Sequence, residues 1–233
     1  LRTHLKQEGI KNNTLIWYCG DNGIPPSGLA ESRFRARKGS IYEGGTRVPG
    51  IIEWPSRIPK ARSTDFNAVT SDMLPTLCAL SGVPLPDRTL DGIDLKPLID
   101  GKMSKREEPI YFWMYNTRGI SKSRQTPWIE PQLQKGTTPL VKLAGGIATR
   151  NFRNYRFDEI LPEDFGGSKA VVDGRYKLVV GGSKESVELF DLVADPGETK
   201  NLADSQPKLT ERLHRDLRQW QESVLQSLIG KDY

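Results

Sequence analysis

Cysteine and histidine are scarce in this sequence of 233 residues. Two cysteines, Cys19 and Cys78, are too few for a disulfide framework, and two histidines, His4 and His214, are too few for a multi-histidine zinc site. No uninterrupted run approaches the roughly 20 apolar residues that a helix needs to cross a bilayer. These absences exclude a disulfide-stapled small domain and a multi-histidine zinc enzyme, and we expect no membrane span.

The sequence also has no large excess of positive or negative charge. The chain has 34 Lys and Arg against 29 Asp and Glu, a net charge of +5, and 36% hydrophobic residues, which is ordinary for a folded globular protein. Its basic residues are spread among glycine, proline and aromatic residues, without a basic helix or a nucleic-acid recognition motif. We therefore expect no nucleic-acid partner and favour a small anionic substrate.

Near the amino terminus, a short apolar run at residues 14–18 is followed by Gly20 and the polar pair Asp21-Asn22. The run is typical of a buried parallel strand. Because ligands of open α/β sheets bind beyond the carboxyl ends of strands, Asp21 and Asn22 are candidate functional residues. An ordinary Asx turn has the same pattern and remains an alternative.

Several further elements are predicted along the first half of the chain. Residues 48–54 form a short strand pattern that stops at Pro55. Residues 70–72 precede a helical pattern that ends at Gly82, so we expect a helix with a hydroxyl N-cap and a glycine stop. The aromatic run at residues 109–114 predicts another strand.

The second half has one region without clear periodicity, at residues 116–165, followed by regular patterns. Asp173-Gly174 separates two apolar runs and predicts a β-hairpin over residues 169–180. Residues 187–192 predict a further strand, and apolar residues in steps of three or four predict an amphipathic helix from residue 205. We therefore expect antiparallel strands, a closing helix and a loop-rich insertion at about 116–165.

Five strings stand out in the sequence. They are NTL at 13–15 leading to DNG at 21–23, KGSIYEGGTRVP at 38–49, DMLPTL at 72–77 followed by GV at 82–83, LDG at 90–92, and LFDLVADPGETKNL at 189–202. In this order they resemble the carboxyl-terminal half of formylglycine-dependent sulfatases of the alkaline-phosphatase-like superfamily. The resemblance implies an α/β fold: part of the alkaline-phosphatase-like core at residues 1–108, and a small antiparallel-sheet subdomain with a C-terminal helix at 109–233.

The resemblance also implies roles for particular residues. Asp21 and Asn22 correspond to two ligands of a calcium ion (Ca²⁺), which prefers hard oxygen donors. Lys38 corresponds to the catalytic lysine that contacts a sulfate oxygen of the substrate, where a compact ammonium suits point-charge stabilisation. We expect Glu43 and Arg47 to fix the loop that presents Lys38 rather than to contact substrate.

The nucleophile of such an enzyme is missing from the sequence. Sulfatases make their formylglycine from the first residue of a Cys/Ser-x-Pro-x-Arg motif, and neither Cys19 nor Cys78 begins one. Two calcium ligands also fall short of the roughly six to eight that calcium takes. Since the chain starts at Leu1 rather than Met, we expect the formylglycine, the other ligands and an amino-terminal half upstream, and we expect this segment alone to be inactive.

The implied substrate is a small sulfated molecule, an aryl sulfate or a sulfated sugar, and the implied location is periplasmic, extracellular or lysosomal. Two alternatives remain open: a related single-metal phosphoesterase or phosphonate hydrolase, and a non-catalytic protein that binds sulfated ligands. One weakly matching stretch could contact the substrate or could be a surface excursion. Its aromatic and basic side chains are Trp113, Tyr115, Arg118, Arg124 and Trp128.

Overall fold

The structure is a computed structural model of the chain, and it describes residues 1–25, 31–115, 125–127, 141–144, 147–150, 155–181 and 186–231. It divides into two compact units. Unit 1 comprises Leu1–Met114 and Ser168–His214, and unit 2 comprises Tyr115–Gly167 and Arg215–Tyr233. The predicted domain limits, 1–108 and 109–233, stay a prediction.

The described residues form a mixed helix and sheet structure with antiparallel sheets, as predicted. The helices are α1 (Arg2–Gln7), α2 (Glu43–Thr46), α3 (Met73–Ser81), α4 (Lys96–Ile99) and α5 (Pro207–Leu228). The strands are β1 (Ile16–Cys19), β2 (Gly50–Glu53), β3 (Ile110–Trp113), β4 (Gln125–Pro127), β5 (Val141–Ala144), β6 (Ile147–Arg150), β7 (Tyr155–Phe157), β8 (Lys169–Asp173), β9 (Tyr176–Val180) and β10 (Val187–Asp191). Short 3₁₀ helices cover Lys11–Asn13, Thr70–Asp72 and Pro162–Phe165. Among these helices, none combines the length and the apolar character that a bilayer span requires.

In unit 1, strands β1 and β2 form a two-stranded antiparallel ribbon, with Ile16 opposite Glu53 and Cys19 opposite Gly50. The prediction of a buried parallel strand at residues 14–18 is therefore wrong in its pairing. The described residues do not bury the strand, since Tyr18 on β1 is 56% exposed. A short apolar run predicts a strand but does not specify the strand that pairs with it.

Helix α3 confirms the predicted glycine stop, because Gly82 follows it with a φ of +73° that a side chain would disfavour. The predicted hydroxyl cap is wrong. The buried Asp72 carboxylate accepts hydrogen bonds from the Val69 N–H and the Ile93 N–H, both at 2.8 Å. It also accepts two from the guanidinium of Arg106, at 2.8 and 3.0 Å. A carboxylate can accept all four, so it joins segments that a local cap would not reach.

A four-stranded antiparallel sheet with the order β10-β9-β8-β3 is the largest sheet of unit 1. Its hairpin pairs Asp173 with Tyr176 across the predicted Asp-Gly turn, and β10 and β3 confirm the other two predicted strands. One face of the sheet packs with the loop before α2. That cluster contains Ile41, Ile110, Ala170, Val172, Val179, Phe190 and Leu192.

Helix α5 confirms the predicted C-terminal helix. The spacing of three and four residues runs through Leu213, Leu217, Val224 and Leu228. Leu213 and Leu217 are buried, but near the end of the helix the buried residue is Leu225. The one-residue difference is within the width of the apolar stripe on such a helix.

Unit 2 contains the region that was predicted to be loop-rich. Its strands pair antiparallel in two ribbons, β4 with β7 and β5 with β6. In its 3₁₀ segment the buried Asp164 carboxylate accepts hydrogen bonds from the Leu161 N–H (2.7 Å) and the Tyr115 hydroxyl (3.4 Å). The Arg218 guanidinium lies 3.3 Å from the ring centre of Phe165. Hydrophobic periodicity gives no sign of these contacts among the described residues of unit 2.

Candidate functional site

The predicted metal ligands Asp21 and Asn22 lie directly beyond the carboxyl end of β1. The Gly20 N–H donates to the Pro49 carbonyl at 3.1 Å, which extends the ribbon by one residue before the chain turns. Asp21 is exposed and Asn22 is half-buried. Their side chains form no hydrogen bond or ion pair with other described residues, so their oxygen atoms are available to a ligand.

The segment of Lys38 lies beside the segment of Asp21 and Asn22. The Lys38 N–H donates to the carbonyl of Ile24 at 2.8 Å, and the Ile24 N–H donates to the carbonyl of Gly44 at 2.9 Å. The Gly23 N–H donates to the Gly45 carbonyl at 3.0 Å. Helix α2 and its two glycines therefore hold both segments by backbone hydrogen bonds. We call the place where residues 23–24, Lys38 and residues 44–45 meet the junction, and the exposed Lys38 side chain extends from it.

Glycine is required at this junction because the backbones approach too closely for a side chain. A Cβ atom on Gly23 would lie 2.1 Å from the Gly44 carbonyl oxygen, and one on Gly44 would lie 2.1 Å from the Ala36 carbonyl oxygen. Neither distance is compatible with van der Waals radii, and the obstructing atoms belong to the backbone. The glycine-rich motif after Lys38 is thus explained by packing.

Beneath the junction, Glu43 forms the first residue of α2 and is buried. Its carboxylate lies 2.5 Å from the Arg47 Nε and accepts a hydrogen bond from the Lys177 Nζ at 2.9 Å. Its N–H donates to the Glu198 carboxylate at 2.7 Å. The Lys177 Nζ also lies 3.1 Å from Glu198 Oε1, an ion-pair distance without hydrogen-bond alignment. Burial raises the pKa of Glu198, and the Lys177 charge opposes that shift.

Arg35 and Tyr42 connect the same loop to β10. The Arg35 guanidinium lies 3.8 Å from the Tyr42 ring centre and donates to Glu188 Oε1 at 3.0 Å and to the Glu198 carbonyl at 3.2 Å. The Tyr42 hydroxyl donates to the other oxygen of Glu188. Burial and this hydrogen bond raise the pKa of Tyr42 to about 12. Sequence patterns assigned no role to Arg35, Glu188, Lys177 or Glu198, because their partners are distant in sequence.

The type of ligand atom at this site suits calcium, but the described residues supply too few ligands. Asp21 and Asn22 offer hard oxygen donors that have no partner among the described residues. Within the part of the chain that the structure describes, no three His, Cys, Asp or Glu side chains come together as a metal site.

Only two of the five candidate substrate-contacting residues lie within the described part of the chain. Trp113 ends β3, and the Tyr115 hydroxyl donates to Asp164. Arg118, Arg124 and Trp128 lie outside the described residues. Contact between this stretch and a substrate stays a prediction.

Comparison with known proteins relates part of this chain to sulfatases. The family model named Sulfatase matches residues 1–83, the part that contains the junction. Human arylsulfatase A is 38% identical to this chain over 119 residues, covering 48% of the chain and 23% of that protein. A sulfatase of Formosa agariphila is 28% identical over 225 residues, covering 92% of the chain and 34% of that protein. The chain thus spans about a third or less of either relative's length.

Solved structures show the same fold. Ps i-CgsB in complex with k-i-k-neocarrahexaose matches 95% of this chain, and 39% of its own, with a TM-score of 0.67 at 21% identity. The phosphonate monoester hydrolase of Agrobacterium radiobacter matches 99% of this chain, and 38% of its own, with a TM-score of 0.56 at 22% identity. The fold is therefore that of sulfatases and is consistent with the alkaline-phosphatase-like superfamily.

Proposed function

We propose that this chain supplies one side of the active site of a sulfatase that hydrolyses small sulfate esters. In this proposal Lys38 is the catalytic and substrate-binding residue, and Asp21 and Asn22 are calcium ligands. The observation that carries it is the hydrogen-bonded junction in which the Lys38 N–H meets the Ile24 carbonyl, two residues after Asn22. The sulfatase family match over residues 1–83 includes all three residues.

The chemistry of sulfate-ester cleavage suits these groups. Negative charge moves onto the leaving oxygen and the sulfate oxygens as the S–O bond breaks, and preorganised positive charge lowers the energy of that state. The exposed Lys38 ammonium offers a point charge and three donors for a sulfate oxygen. Calcium, when bound, would neutralise further charge on the sulfate. Asp21 and Asn22 would coordinate this calcium ion together with ligands from outside this chain.

The nucleophile is proposed to come from sulfatase sequence outside this chain, since no Cys/Ser-x-Pro-x-Arg motif occurs within it. The proposed substrate is an aryl sulfate or a sulfated sugar, and the proposed location is periplasmic, extracellular or lysosomal. The names of the related arylsulfatase A and the Formosa agariphila sulfatase support the ester class.

A phosphonate monoester hydrolase is the second candidate function. Its support is the TM-score of 0.56 with the Agrobacterium radiobacter enzyme, which at 22% identity reflects fold alone. The sulfatase sequence match over the junction residues favours the first candidate. Parallel assays with an aryl sulfate and a phenyl phosphonate ester would separate the two.

Substitution of Lys38 tests the proposal. In an active sulfatase polypeptide that contains this chain, we expect Lys38→Ala to lower kcat about 10²-fold or more, because a preorganised group that stabilises developing charge is lost. The matched control is Lys60→Ala, which removes another exposed lysine of unit 1. A kcat within a few-fold of the parent, with the fold intact, would show that Lys38 is not catalytic.

The isolated chain offers a complementary test. We expect no turnover of a chromogenic aryl sulfate, with or without calcium, because the chain has no formylglycine precursor and too few calcium ligands. Calcium-dependent turnover that disappears in Asp21→Ala would contradict this expectation. That result would mean that the chain carries its own nucleophile.

A further inference from the structure

Three buried charged side chains meet beneath the junction that carries Lys38. We call Glu43, Lys177 and Glu198 the buried charge cluster. The Lys177 and Glu198 side chains are fully buried, and the Glu43 side chain is 6% exposed. They come from three separate segments: the start of α2, the second position of β9 and the turn after β10. The cluster therefore joins the sheet to the loop of the proposed active site.

Lys177 occupies a position where an apolar residue would be expected. Alternation along β9 places it on the same face as Val179, which packs in the core cluster with Ile41. A buried ion pair is weak evidence for stability, because apolar residues of similar volume often replace one without loss. A lysine at this position instead fixes where two carboxylates lie, and it thereby fixes the segments that bear them.

The position of Glu198 also indicates a constrained geometry. Its φ is +54°, in the left-handed region that a non-glycine residue rarely adopts. In this conformation its carboxylate accepts the Glu43 N–H at 2.7 Å, while its carbonyl accepts a hydrogen bond from Arg35 at 3.2 Å. One strained residue thus contacts both ends of the segment that contains Lys38.

A short series of covalent bonds and backbone hydrogen bonds connects the cluster to Lys38. Glu43 is adjacent to Gly44, whose carbonyl accepts the Ile24 N–H. The Ile24 carbonyl in turn accepts the Lys38 N–H. The Gly44 N–H donates to the Arg35 carbonyl at 2.8 Å, which holds the other end of the loop. A displacement of Glu43 would therefore move both segments of the proposed site.

We propose that Lys177 and Glu198 are positioning residues that hold Lys38 beside Asp21 and Asn22 through Glu43. The catalytic meaning of this inference rests on the proposed function of Lys38. Neither Lys177 nor Glu198 is exposed to a substrate, so both act only through the loop. The four-stranded sheet of unit 1 then has a role at the proposed active site in addition to its role in stability.

Amide hydrogen exchange of the 233-residue chain, followed by mass spectrometry, tests the inference without any assay of activity. We expect Lys177→Met to speed exchange in residues 35–47 at least tenfold more than in α3 and in residues 207–214. The Glu43 and Glu198 carboxylates would lose the positive charge between them, and their mutual repulsion would detach the loop. The matched control is Arg175→Met, which removes an ion pair of the same hairpin with Asp191. The control should leave residues 35–47 within about twofold of the parent.

Equal acceleration throughout unit 1, or none in residues 35–47, would overturn the inference in favour of a merely structural role. A second pair of variants covers the case in which Lys177→Met fails to fold. Glu198→Gln keeps an acceptor for the Glu43 N–H, whereas Glu198→Ala removes it. We therefore expect exchange in residues 35–47 to be slower in Glu198→Gln than in Glu198→Ala, and equal rates would count against the inference.

Kinetics then separate the inference from the proposed function. In an active sulfatase polypeptide that contains this chain, we expect Glu198→Gln to lower kcat several-fold with little change in KM. Faster loop exchange in Glu198→Ala, combined with an unchanged kcat in Lys38→Ala, would leave the positioning intact and refute the proposed role of Lys38. A lower kcat in Lys38→Ala without any effect of the cluster variants on loop exchange would support the proposed role of Lys38. It would refute the positioning role of Lys177 and Glu198.

Discussion

The four-stranded sheet and the β1–β2 ribbon of unit 1 are both antiparallel, but they differ in how they are covered. In the sheet, Val171, Leu178 and Leu189 are completely buried. In the ribbon, Tyr18 is 56% and Ile51 is 60% exposed. The sheet thus has a core within this chain, whereas the ribbon presents apolar side chains that the rest of the described structure does not cover.

This difference follows from the number of strands and from what packs on them. A two-stranded ribbon alone is marginally stable, and three or more strands with a covered face are needed for independent stability. The sheet meets this condition through its four strands and the cluster with Ile41. The ribbon is held by backbone hydrogen bonds and leads to the proposed site. The well-covered sheet of unit 1 therefore supports the region of the proposed site, which has little core of its own.

Truncation of an apolar side chain in each region should give the largest contrast. We expect Leu178→Ala in the sheet to lower the free energy of unfolding by about 2–5 kcal/mol, since it leaves a cavity. Ile51→Ala in the ribbon should cost less than about 0.5 kcal/mol, because the side chain is mostly exposed. Urea denaturation measures both values. Similar costs at the two positions would show that the ribbon is covered in solution.

Glycine substitutions should give a smaller contrast. We expect Gly44→Ala to destabilise the chain by about 1–3 kcal/mol, because its Cβ would overlap the Ala36 carbonyl oxygen and force the loop to move. Gly50→Ala in the ribbon is the control, since no atom lies within 4 Å of its Cβ position. Thermal unfolding compares the two, and a tolerated Gly44→Ala would contradict the close packing of the junction.

Removal of exposed ion pairs should give the smallest effect. The hydrogen bond from Arg175 holds the pKa of Asp191 below its usual range, and the N–H groups of Val193 and Ala194 add to this. A lowered folded-state pKa stabilises the fold above the unfolded pKa of about 3.9, and this stability is lost as pH falls. Arg175→Met should therefore lower the Tm at pH 7, and the difference from the parent should shrink below pH 4.

The matched ribbon variant is Arg2→Met, which removes the pair with Glu53. Because Arg2 is 68% exposed against 47% for Arg175, water screens its pair more strongly. We expect a smaller loss of Tm at pH 7 than for Arg175→Met. A larger loss would place the greater electrostatic contribution in the ribbon.

Much of the fold was predictable because its signals are local. The Asp-Gly turn between β8 and β9, the spacing of leucines along α5 and the glycine after α3 act through neighbouring residues. The burial and partner of β1 were not predictable in this way. Its apolar run specifies an extended chain, whereas its antiparallel pairing with β2 depends on the residues between them, 20–49, folding back.

For the candidate site, the sequence strings identified Asp21, Asn22 and Lys38, and the structure placed their backbone segments side by side. Of the residues that support them, Glu43 and Arg47 were expected to fix the loop, and they form an ion pair with each other. The residues that contact this loop from the sheet and from the turn after β10 were missed. Arg35 and Glu188 have no local signal that distinguishes them from other surface charges. Their contact depends on the loop before α2 packing against β10.

The sequence by itself determined the local elements, the family resemblance and the candidate residues, because periodicity, turn residues and motifs are read from neighbouring positions. Only the tertiary structure decided which charged residues would be buried together. Lys177 meets Glu43 across 134 residues, and Glu43 meets Glu198 across 155. A charge is stable in a protein interior only when its partners are brought to it. That condition is met by the packing of distant segments, which no local pattern encodes.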